Sequence, residues 1–193
     1  MSNLIATTLA GQLTGDNLIK VASGSVFKYP GAILQTLYIR SDNRAAYASP
    51  ATGNGTTITD LNITITPKLS TSILLMTWMI NGEIGENNVF LVHQAGALIT
   101  TSGYEAYNTV SGNVNYSGVV SAKYDTDNNS TPNNYCLQYY VLAGSTASRI
   151  YAPAVRSASG VAQTFYLNRT TGALGQDTYE NTISTGVIME IAQ

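Results

Sequence analysis

Histidine and cysteine each occur once in 193 residues, and that scarcity constrains the chemistry open to the chain. A Ser-His-Asp triad would have to use His93. It follows Asn88-Val89-Phe90-Leu91-Val92 in a strand-like run, the setting of a structural imidazole rather than a catalytic base. No G-x-S-x-G elbow occurs, so this hydrolase chemistry is disfavoured. Cys136, in Tyr135-Cys136-Leu137-Gln138-Tyr139-Tyr140, reads as a small buried apolar side chain without the signature of an activated thiolate. One cysteine permits no intrachain disulfide, and one His with one Cys makes no transition-metal set. Charge is scarce too. Charged residues are 10% of the sequence and the net charge is -2, leaving no basic field for nucleic acid or an anionic membrane. The most apolar stretch, Ile73 to Ile80, is too short to cross a bilayer. Met1 to Ala6 lacks the basic and apolar regions of a signal peptide, so synthesis in a cytoplasm is expected. Walker-type and dinucleotide glycine motifs are absent, and no cofactor is implied.

Val, Ile, Thr and Tyr recur in short runs separated by Gly, Asn, Ser and Asp, which predicts an all-β chain with no convincing helix. Leu61-Asn62-Ile63-Thr64-Ile65-Thr66 alternates with period two and ends at Pro67. Further strands are expected at Ile33 to Ile39, Ser72 to Asn81, Asn88 to Gln94 and Val114 to Lys123. Others are expected at Tyr135 to Leu142, Arg149 to Val155, Thr164 to Leu167 and Val187 to Ile191. That is about nine strands at the spacing of an antiparallel β-sandwich. Ser41 to Gly55 and Asp125 to Asn134 read as long loops. Ser72-Ile73-Leu74-Leu75-Met76-Thr77-Trp78-Met79-Ile80 does not alternate, which implies that both faces of this strand are covered, one by the sandwich and the other by a partner subunit or a covering loop. On that reading Leu75, Met76, Trp78 and Ile80 are the candidate subunit contacts. Residues 1 to about 29 differ from the rest, with Leu4, Ile5, Leu9, Leu13, Leu18 and Ile19 scattered among glycines. They read as an extended anchoring arm whose apolar residues dock on another protein, or as a first strand of the sandwich that occupies 30 to 193.

Two acids, Glu83 and Glu86, lie close together in Asn81-Gly82-Glu83-Ile84-Gly85-Glu86-Asn87. A glycosidase needs only such a pair, but acids in a Gly and Asn-rich segment read as a solvated turn. Asp125-Thr126-Asp127-Asn128-Asn129-Ser130 starts like a calcium loop and then fails, with Ser130 where Gly is required and Cys136 where a bidentate Glu is required. No metal is expected. Tyrosine is the one conspicuous excess, with 13 copies. Most suit strands, while Tyr104, Tyr107 and Tyr124 are the candidates for a flat contact with carbohydrate.

Three stretches belong together: Pro30-Gly31-Ala32-Ile33-Leu34-Gln35, then Ile63-Thr64-Ile65-Thr66-Pro67-Lys68-Leu69-Ser70-Thr71-Ser72-Ile73-Leu74-Leu75-Met76, then Val187-Ile188-Met189-Glu190-Ile191-Ala192. As an ordered set over residues 30 to 193 they resemble a family of tailed-bacteriophage structural proteins, frequent in marine and cyanobacterial phages. Family members often carry Ser-Lys before the apolar strand where this chain has Thr71-Ser72, so no lysine role transfers. The resemblance implies a jelly-roll-like sandwich, a homotrimer on the virion surface and no catalytic residues. Two virion roles follow. One is a capsid decoration or cement protein anchored to the major capsid protein by its arm. The other is a tail-fibre or receptor-binding tip whose tyrosines contact a host surface glycan.

Overall fold

The computed structural model describes residues 29–85, 87–99, 108–110, 113–115, 119–121, 132–172 and 180–193. Fourteen strands lie among them: β1 (Ile33–Ser41), β2 (Ala45–Ser49), β3 (Thr56–Thr57), β4 (Ile63–Ile65), β5 (Ile73–Glu83), β6 (Asn88–Gln94), β7 (Ala97–Leu98), β8 (Asn108–Val110), β9 (Asn113–Asn115), β10 (Val119–Ser121), β11 (Asn133–Leu142), β12 (Arg149–Ser157), β13 (Gln163–Leu167) and β14 (Ser184–Ile191). Thr59–Leu61 forms one 3-10 turn.

Twelve of the strands build two six-stranded antiparallel sheets, and β8 and β9 pair separately. The first runs β1-β14-β5-β13-β2 with β11 also on β5, and the second runs β10-β6-β12-β3 with β4 on β12 and β7 on β6. Between β4 and β14 the long strands alternate between the sheets. β5, β11 and β13 belong to the first and β6 and β12 to the second, the crossing pattern of a jelly-roll-like sandwich. The expected all-β sandwich is the observed one.

Period-two burial explains the core. Leu74, Met76, Trp78 and Ile80 point inward from β5 and are fully buried. They meet Ile63 and Ile65 of β4, Phe90 and Val92 of β6, and Phe165 of β13 in one cluster. The Phe90 and Phe165 rings pack edge to face, with centroids 5.2 Å apart, a favoured aromatic geometry. The Trp78 indole N–H donates to the Leu61 carbonyl at 3.2 Å, so its one polar atom is satisfied. Gly186 lies opposite Trp78 in the β14–β5 register, and a Cβ there would fall inside the indole. The close approach of β14 therefore depends on a missing side chain.

One expectation fails in detail. The segment read as a loop from Ser41 to Gly55 contains β2, an edge strand paired only with β13. Within the chain the run Ile73 to Ile80 is fully buried on its inward side alone; Ile73, Leu75 and Thr77 are half-buried and Met79 is exposed, on the face for which a partner subunit or a covering loop was expected. β6 is buried on both faces, as is β12 from Tyr151 to Val155. Phe90 and Val92 of β6 enter the main core, while Val89 and Leu91 pack with Ala154 in a second cluster. The second expected loop, Asp125 to Asn134, lies largely outside the described residues, and its last two residues already belong to β11.

Candidate functional site

Two features stand out: a buried carboxylate at one end of the sandwich and an apolar outer face on the first sheet. Glu190 lies in β14, points inward and is fully buried. Its carboxylate accepts from the Lys68 backbone N–H at 2.8 Å and the Leu69 N–H at 2.9 Å. It also accepts from the Ser72 hydroxyl at 2.7 Å and the Gln35 side-chain amide at 2.6 Å. Gln35 donates in addition to the Thr66 carbonyl. The segment leading into β1 is laced to the residue after β14 beside it, with Gly31 N–H on the Ala192 carbonyl and Ala192 N–H on the Ala32 carbonyl. Burial pushes the Glu190 carboxyl up, but the donors from Lys68, Ser72, Leu69 and Gln35 outweigh it and hold the group below the ordinary carboxylate range. This cluster joins all three stretches on which the family resemblance rests.

The outer face of the first sheet spans β1, β14, β5 and β11. In register, Ile73 lies between Ile191 and Leu142, and Leu75 between Met189 and Tyr140. Thr77 lies between Val187 and Gln138, and Met79 between Thr185 and Cys136. Tyr38 of β1 extends the third row beyond Val187 and is 64% exposed; Leu142 at the opposite corner is 46% exposed. Between Ile73 and Met79, and at the positions beside them on β1, β14 and β11, the outward residues include no acid; Glu83, further along β5 on the same side, is buried and accepts the Thr171 N–H. The one cation among those outward residues, Arg40 at the rim, is paired with Asp42 at 3.1 Å.

Of the four residues proposed as subunit contacts, only Leu75 lies on this face. Met76, Trp78 and Ile80 fill the protomer's own core, which removes them as contact residues. Cys136 was expected to be buried and is exposed, because β11 presents alternate residues and Leu137, not Cys136, faces inward. Glu83 is not a solvated turn acid. It ends β5, is buried and accepts the Thr171 N–H, while Glu86 lies outside the described residues. Also outside are the arm residues Leu4, Ile5, Leu9, Leu13, Leu18 and Ile19, the tyrosines Tyr104, Tyr107 and Tyr124, and the calcium-like loop at 125–130. The outward residues of β14 and β11 and the role of Glu190 were missed. The available signal was a lone acid inside the apolar run Val187 to Ala192, with apolar residues at both alternating positions around it.

His93 is buried between two partners. Its Nε2 lies 2.8 Å from the Asn54 carbonyl, which can only accept, so Nε2 carries the proton and Nδ1 accepts from the Thr57 hydroxyl at 2.7 Å. Burial lowers its pKa against a smaller opposing effect of Asn54. Both nitrogens are committed to holding the 54–57 segment on the second sheet. Among the described residues no group of three or more His, Cys, Asp or Glu is placed to hold a metal.

An open cavity of about 410 Å³ lies at the other end of β5, lined by Gly85, Ala162, Gln163, Thr164, Tyr166 and Thr171. The Arg169 guanidinium stacks on the Tyr166 ring, 4.4 Å from its centroid.

A scan against protein-family models and a search of curated proteins each returned no match.

Proposed function

We propose that this chain is a non-enzymatic structural protein of a bacteriophage virion: a capsid decoration or cement protein, assembled as a homotrimer and anchored to the major capsid protein by residues 1 to about 29. One observation carries the reading. The three stretches that resemble the phage family are far apart in sequence, yet Gln35, Lys68, Leu69 and Ser72 all converge on Glu190. In this chain the three stretches thus form one buried framework, which supports reading them as a set. The virion surface is the proposed location, with no nucleic acid, membrane or cofactor among the partners.

Gold-labelled antibody on intact particles tests the reading. Label over the head, lost when residues 1–29 are deleted from a chain that still folds, is the expected result; label confined to the tail overturns the decoration role. The cavity beside Tyr166 supports a second role, a receptor-binding tip, because an aromatic ring among uncharged amide and hydroxyl groups is the chemistry that holds a glycan. Virions lacking the protein would then fail to adsorb to the host.

A further inference from the structure

We infer that the outer face of the first sheet is a contact between copies of this chain, and that Cys136 lies inside it. The inference deepens the structural reading above and takes only its expected stoichiometry from it.

Size is the first argument. Four strands at the usual spacing give a width of about 19 Å, and the run from Ile73 to Met79 gives a length of about 24 Å. That flat footprint, about 460 Å², is over half of the roughly 800 Å² that each partner contributes to a standard interface and falls in the range of a smaller one. Composition is the second. The centre holds Leu75, Met189, Val187 and Tyr140, so contact would remove a continuous apolar surface from water. Charge decides the occupant. With no acid on the face and Arg40 already paired with Asp42, a charged partner would lose hydration and find no counter-charge. The same face on a second copy imposes no such loss. Thr77 and Gln138, side by side near the middle, each hold a donor and an acceptor and can pair with their own kind.

Cys136 is the only thiol and sits one strand from Met79, which makes it a built-in reporter. The test measures the mass of the purified full chain by light scattering across a concentration series, together with the rate of maleimide labelling at Cys136. The expected result is a multi-subunit mass with labelling slowed in the oligomer. Leu75→Asp and Met189→Asp should each lose both effects, and Val161→Asp, on an exposed loop, should keep them. If either Asp variant fails to unfold cooperatively, Gln138→Arg, at an exposed position, replaces it. A multi-subunit mass that survives these substitutions, or an oligomer in which Cys136 labels at the monomer rate, overturns the inference. So does a monomer at every concentration, whether its thiol is open or is covered by the chain's own residues 1–28. A dimer instead of a trimer supports the face and overturns the proposed stoichiometry. Particles that carry a monomeric chain overturn the face alone and leave the virion role standing.

Discussion

The Ser72 hydroxyl lies 2.7 Å from the Glu190 carboxylate, and the two residues, 118 positions apart, tie the turn before β5 to the last strand. Ser72 is itself fully buried and its carbonyl accepts the Ala143 N–H, so the same few atoms also join the end of β11. A buried carboxylate that accepts several N–H and O–H donors is stable only while charged and fully bonded.

Glu190→Gln is therefore expected to destabilise the fold by about 3 kcal/mol near neutral pH, because an amide cannot accept at both ends: an NH2 in place of Oε1 would face the Lys68 and Leu69 donors, and one in place of Oε2 the Lys68 and Gln35 donors. The pH dependence follows from the sign of the shift. The folded-state pKa is lowered, so the contribution is fully present above the ordinary value of 4.5 and is lost as pH falls through the lower folded value. Denaturant midpoints of wild type and Glu190→Gln should stay apart at neutral pH and converge in acid. A gap that is constant from neutral pH into strong acid would sink the idea.

Gly186→Ala should cost about 3 kcal/mol, since the added methyl must displace the Trp78 indole within a closed core. Gly85 has open space around its Cβ position and an ordinary backbone conformation, so Gly85→Ala serves as the control and should be near neutral. Equal thermal midpoints for the two variants would count against the Trp78 contact.

The β-sandwich was legible because Val, Ile and Thr runs are bounded by turn residues, and β6 was placed to the residue. β2 was not, since Ala45-Ala46-Tyr47-Ala48-Ser49 has little intrinsic strand preference and owes its form to pairing with β13. The direction of each β5 side chain was equally hidden. When both alternating sets are apolar, periodicity cannot say which faces the core, and only the neighbouring strands decide. Glu190 drew no role because its donors come from residues 118 to 155 positions away.

His93 gives one proton resonance set to follow, being the only histidine. Its burial predicts a titration midpoint below 6.5 by NMR, and a stability contribution present above that pH and lost as pH falls through the folded value. A midpoint above 6.5 would contradict the neutral imidazole held between Asn54 and Thr57.

Trp78 and Leu75 sit three residues apart on opposite faces of β5, and their aspartate variants should separate folding from association. Trp78→Asp removes the largest fully buried side chain and places a carboxylate in the core. Losing the ring costs about 3–5 kcal/mol and burying the charge several more, which together reach the roughly 5–15 kcal/mol stability of a typical domain. The variant should show no cooperative unfolding transition. Leu75→Asp meets solvent on a half-buried face, so the isolated protomer should lose only about 1 kcal/mol, set by the poor fit of Asp to a central strand. Circular dichroism melts of both variants at low protein concentration decide the point, since dilution removes any contribution from association. A folded Trp78→Asp chain, or an unfolded Leu75→Asp chain, would reverse the assignment of the two faces.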